Sequence, residues 1–196
     1  MKARIRLKSW QWLLLMTLLL TADYGYTQGP TDATGYYQRG MANLEKGDLD
    51  QAISSFTKAL EIDPRNAEAY KNRGIAYGRK GQDDQAFSDF NKALAINPKY
   101  WEAYNNRGNV YLKKGQTDQA IADYNKAIEI NPKDARIYMN RGAAYLDKGQ
   151  HDQAMADYNK AVEINPKDAR PYMNRAFAYE SKGQYDQAIA DYTKAL

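Results

Sequence analysis

His151 is the only histidine in the chain, and there is no cysteine. Without a Cys cluster or a second imidazole, the side chains supply neither a zinc set nor a His-based triad. Flanked by Gln150 and Asp152, His151 reads as a solvated residue in a loop between two helices. Acid–base catalysis needs carboxyl groups with private environments. The Asp and Glu residues here instead recur at fixed intervals, as helix caps and ion-pair partners do. The glycines are spread along the chain at helix ends and do not gather into a phosphate-cradling loop. No catalytic residue, metal or cofactor is expected.

The chemistry that remains is recognition. Arg136, Met139, Arg170, Met173 and Phe177 lie in the C-terminal half and are not required by any repeated packing position. Arg presents a cationic fork to carboxylates, and Met and Phe give adaptable apolar contact. Together they fit a protein or peptide partner that is partly acidic and has apolar anchors. Asn72, Asn106, Asn140 and Asn174 form a ladder with a constant step. Hydrogen bonding within the fold is an equally good use for these amides.

The elements that must position these residues follow from a period of 34. Gly40, Gly74, Gly108 and Gly142 keep that spacing, with Ala176 at the fifth place. Arg39, Arg73, Arg107, Arg141 and Arg175 precede them, and Pro64, Pro98, Pro132 and Pro166 repeat in phase. Each unit reads as two helices. Tyr70, Arg73, Gly74 and Tyr77 share one face of the first at the i, i+3, i+4, i+7 spacing. Gly81, able to take a left-handed conformation, ends it. Ala86, Phe87, Phe90, Ala93 and Leu94 form the stripe of the second, which Asn97-Pro98 ends because a residue before Pro avoids the α region. Asp32, Asn66, Asp134 and Asp168 stand as N-caps before first helices, and Tyr100 is the exception.

This pattern resembles the tetratricopeptide repeat (TPR), a 34-residue helix–turn–helix unit. In the third unit the family's positions are held by Tyr104, Gly108, Tyr111, Ala120, Tyr124, Ala127 and Pro132. In the fourth they are held by Tyr138, Gly142, Tyr145, Ala154, Tyr158, Ala161 and Pro166. The resemblance implies an all-α fold, a right-handed superhelical solenoid of about five repeats. The expected boundaries are 33–66, 67–100, 101–134, 135–168 and an incomplete 169–196. The family's Leu before Gly is Arg throughout this chain. Asp89, Asp123, Asp157 and Asp191 lie 16 residues after the corresponding Arg, which predicts an Arg–Asp pair inside each hairpin. Ser55 holds that place in the first repeat, so Arg39 is expected to lack an intra-repeat carboxylate.

As in the family, first helices are expected to line a concave groove that binds a peptide or partner domain. Its candidate residues are Lys71, Asn105, Asn106, Asn109, Arg136, Met139, Asn140, Arg170, Met173, Asn174 and Phe177. In the family, asparagines of this ladder can hold a peptide backbone. A subset of the family grips a C-terminal carboxylate; Lys71 and Asn106 match parts of that set, but Ile75 and Asn140 do not. The fifth repeat stops at Leu196 before its expected Pro, so its last helix is expected to fray or self-associate. A second organisation is an N-terminal interaction domain of a larger protein whose effector part lies beyond Leu196.

Residues 1–27 read as a secretory signal peptide, followed by a linker over 28–32. Lys2, Arg4, Arg6 and Lys8 precede an apolar run from Trp10 to Leu20, with small residues beyond. That run is short for a spanning helix, and an uncleaved anchor over residues 10–22 is the competing reading. The first acidic residue is Asp23, so the four leader cations account for the whole net charge of +4. A near-neutral remainder has no global attraction for nucleic acid. The RNA-reading relatives of such hairpins keep a different period, so no nucleic-acid partner is expected. The expected function is that of an exported scaffold, periplasmic or secreted, that holds another protein.

Overall fold

The computed structural model describes residues 32–196, so the signal-peptide reading lies outside the described residues. Among the described residues there are ten helices and no strand. They are α1 (Ala33–Lys46), α2 (Leu49–Ile62), α3 (Ala67–Arg79), α4 (Asp83–Ile96), α5 (Trp101–Lys113), α6 (Thr117–Ile130), α7 (Ala135–Asp147), α8 (His151–Ile164), α9 (Ala169–Ser181) and α10 (Tyr185–Ala195).

Local chemistry sets the ends. The side chains of Asp32, Asn66, Asp134 and Asp168 accept from backbone N–H groups of the first turns they precede, whereas Tyr100 gives no side-chain cap. Gly81 takes φ +75° just after α3, and the glycine closing each of the other first helices is also left-handed. His151 corrects one expectation. It is the first residue of α8 and not a loop residue, and its Nδ1 lies 3.1 Å from Ser181 Oγ in the next repeat.

Each of the first four hairpins closes on a bare stretch of backbone. A Cβ added to Gly108 would lie 2.7 Å from the Tyr124 ring, and one on Gly74 would lie 2.7 Å from Phe90. The absent side chain is therefore the space into which the aromatic of the second helix packs. Tyr124 and Tyr158 are buried to within 1%. In the second to fifth hairpins the expected ion pair stands across the two helices. Arg73, Arg107, Arg141 and Arg175 each donate through Nε and Nη2 to both oxygens of Asp89, Asp123, Asp157 and Asp191. The third nitrogen reaches back one repeat, to Thr57, Asn91, Asn125 and Asn159. Among the described residues Arg39 makes no ion pair.

Hairpins stack through small clusters that straddle neighbours. Ala120, Tyr124 and Ala127 pack with Ile137 and Ala144 of the following repeat. There is no central core, as expected of units that bury their faces only by stacking. Each first helix touches the first helix of the next repeat, and among the described residues no second helix touches another second helix. First helices are therefore crowded together on the inner side of the curve, and second helices splay on the outer side.

Candidate protein-interaction face

The inner side is built from α1, α3, α5, α7 and α9, and every candidate recognition residue belongs to one of the last four of these helices. Several of them are occupied by the fold. Asn140 donates to Asn105 at 2.9 Å across a repeat boundary, and Tyr124 OH donates to Asn109 Oδ1 at 2.7 Å. Asn72 is buried and donates to Tyr37 OH and to the Met41 sulfur. At Asn72 and Asn140 the ladder stitches repeats together, whereas the Tyr124–Asn109 bond lies within one repeat. No such bond engages the side chains of Asn106 and Asn174 among the described residues.

The Arg–Met–Phe cluster is also partly reassigned. Met139 is only 7% exposed, packed with Ala135, Tyr138 and Ala161, so it is not a free anchor. Arg136 and Arg170 fold back onto their own N-caps, Asp134 and Asp168, through side-chain bonds as short as 2.6 Å. Hydrogen bonds from Arg136 hold the Asp134 carboxyl below its ordinary range. The guanidinium of Arg136 also lies 5.5 Å from the Trp101 ring centroid. Capping thus accounts for arginines that no packing position needs. Both remain largely exposed, with their charges open to solvent. Met173 and Phe177 are exposed, at 52% and 59%.

Lys71 lies half-buried over the Tyr100 ring. Burial lowers its ammonium pKa, against the raising influence of Glu102 and Glu68. This part of the face therefore carries mixed charge.

The feature that sequence reasoning missed is a pocket of about 460 Å³ between the second and third repeats. Ile75, Gly78, Phe90 and Val110 give it apolar walls, and Asn106, Asn109, Arg79 and Lys113 give it polar ones. Its cause is one residue. Gly78 stands where the first, third and fourth repeats have Leu44, Leu112 and Leu146. Leu44 is buried, and Leu112 and Leu146 pack against the clusters of their own repeats. At Gly78 that volume is empty, and an added Cβ would meet only the Ala86 methyl at 3.8 Å. The signal was present as a glycine inside a helix, where it costs stability.

The described residues contain no group of His, Asp and Glu able to hold a metal. Family models described as TPR repeat match residues 40–81, 108–149 and 142–183, and models described as tetratricopeptide repeat match 67–100 and 90–122. The chain is a tetratricopeptide repeat protein. Among solved structures, this TPR chain is 32% identical to MamA, covering 80% of this chain and 91% of that one with a TM-score of 0.70. It is 25% identical to a thermophilic TPR protein of Thermus thermophilus, covering 84% and 90% with a TM-score of 0.72. It is 26% identical to YrrB, a TPR protein with an unusual peptide-binding site, covering 84% of each chain with a TM-score of 0.65. No curated protein matches it. TPR proteins bind other proteins or peptides and are generally non-enzymatic interaction modules, and this chain shares their scaffold.

Proposed function

We propose that this TPR protein is an exported scaffold that holds a peptide or a partner domain along its first helices. In this reading the Gly78 pocket takes an apolar side chain of the ligand. The observation that carries it is the empty leucine site, because a fold selected for packing alone would fill it. Asn106 and Asn109 on the pocket wall offer amides to a peptide backbone, and Arg79 and Lys113 favour acidic flanks. Lys71, Asn174, Arg136 and Arg170 extend the contact surface along the same face, with Met173 and Phe177 at its far end. Peptide binding by YrrB supports the assignment at the level of the family. Export rests on the positive-then-apolar leader, and places the partner in the periplasm or outside the cell.

Site-specific photocrosslinking tests the groove. A photoreactive residue at Ile75 or Lys113 is expected to capture the partner in cell-envelope extract. The same residue at Lys126 or Lys160, on second helices, is expected to capture nothing. Crosslinks confined to the second-helix positions would refute the reading.

A further inference from the structure

The two ends of the described array present the two halves of a joint that is made four times inside it. At each internal boundary a lysine at the end of a first helix pairs with an aspartate at the start of the preceding second helix. The pairs are Lys80 with Asp50, Lys114 with Asp84, Lys148 with Asp118 and Lys182 with Asp152. One period before Lys80 stands Lys46, and one period after Asp152 stands Asp186; both are exposed. Neither makes an ion pair among the described residues.

The same relation holds for the other contacts. At each boundary the arginine of the following repeat donates to residue 57, 91, 125 or 159 of the preceding one. The unmatched donor is Arg39. The unmatched acceptor position is Thr193, a hydroxyl like that of Thr57. Between these polar contacts the joints are apolar. Phe87 packs edge-on to Tyr111 across one of them, with ring centroids 5.1 Å apart. Ile189 is the equivalent of Phe87 and is 63% exposed. On the opposite half, Ala76, Val110, Ala144 and Ala178 are 4% exposed or less, and their equivalent Ala42 is exposed.

We propose that the chain self-associates head to tail, with the outer face of α1 of one copy seated on the outer face of α10 of another in the register of the internal joints. Lys46 then meets the neighbour's Asp186, Arg39 meets its Thr193, and α1 around Ala42 covers its Ile189. The occupant is a second copy because each half has its complement, in charge, hydrogen bonding and apolar contact, at the other end of the described array. Such a contact is heterologous, so it does not close at two copies and extends into open or ring-shaped assemblies.

Two blocking variants of the full chain test this by sedimentation velocity in mild detergent, in which the leader is common to every arm. Ile189→Arg blocks the tail and Ala42→Arg blocks the head; both sites are exposed, and circular dichroism checks that each variant keeps its helices. The parent chain is expected to grow in mass with concentration, and each variant to stay monomeric. An equal mixture of the two is expected to form dimers and nothing larger. Growth of Ala42→Arg equal to that of the parent would overturn the proposal in favour of a symmetric tail-to-tail contact. A parent chain that stays monomeric would also overturn it.

Discussion

Arg107 and Asp123 form a two-pronged ion pair, Nε to Oδ2 and Nη2 to Oδ1, each at 2.7 Å, across the two helices of one hairpin. The side chains are 19% and 8% exposed, and the free nitrogen of the fork bonds Asn91 of the preceding repeat at 2.6 Å. The hydrogen bonds to Asp123 raise the guanidinium pKa against the opposing effect of burial. Tyr104 and Tyr111 flank the guanidinium carbon at 5.5 and 5.9 Å. The pair thus sets hairpin geometry, and through Asn91 it also sets repeat stacking. Removing one partner leaves a poorly solvated charge. Asp123→Ala is expected to destabilise the array by about 3 kcal/mol. Replacing both Arg107 and Asp123 by Leu is expected to recover most of that loss, and thermal melting followed by circular dichroism compares the two.

The close approach of Tyr124 to Gly108 makes a second expectation. Gly108→Ala puts a methyl group 2.7 Å from the ring, so the ring or the helix must move. A cost of about 1–3 kcal/mol is expected from such overpacking. A Gly108→Ala variant that melts like the parent would show that the third repeat relaxes freely, accommodating the residue that the fifth carries as Ala176.

Much of this fold was legible in the sequence because its rules are local and repeated five times. Gly81, Asn97-Pro98 and the Asp and Asn caps each act within a turn of themselves, and the 16-residue Arg-to-Asp spacing is fixed by hairpin geometry. The face was harder to read, because subtraction removes only the roles that recur. Arg136 and Arg170 have a role that subtraction does not remove, in clamping their own caps. Met139 reads as a groove residue from its helix position, but packing buries it. The Gly78 pocket is a missing leucine, and it becomes visible only when the repeats are laid in register.

The buried phenols carry a pH dependence. Burial pushes the hydroxyls of Tyr100, Tyr124 and Tyr158 well above their ordinary range, and nearby carboxylates add to the effect. A raised folded-state pKa gives stability that is complete below the unfolded value, about 10 for tyrosine, and is lost as the pH rises through the folded one. Stability is therefore expected to fall from about pH 10 upward. Alkaline unfolding should coincide with a cooperative rise in phenolate absorbance, and the Tyr124→Phe, Tyr158→Phe double variant should shift it to higher pH. A smooth titration of all tyrosines with the helices intact would contradict this.

Export makes a separate expectation, because Lys2 to Leu20 has the charge and apolar pattern of a removable leader. N-terminal sequencing of protein from the cell envelope is expected to find a start between Asp23 and Gly29. Recovery of the intact Met1 form from the cytosol would remove export from the account.

If the inner face holds a partner through the Gly78 pocket, filling that pocket with Gly78→Leu should release the partner. The substitution restores the residue found in three other repeats, in a helix where glycine costs roughly 0.5–1 kcal/mol. It is therefore expected to raise the melting temperature. Quantitative mass spectrometry of envelope proteins retained on the parent chain, on Gly78→Leu and on a Lys126→Ala, Lys160→Ala control supplies the measurement. The expected result is a partner retained by the parent and the control and lost at least tenfold from Gly78→Leu, on the order of the 2 kcal/mol that a buried anchor contributes. Equal retention by Gly78→Leu, with loss from the second-helix control, would contradict the account.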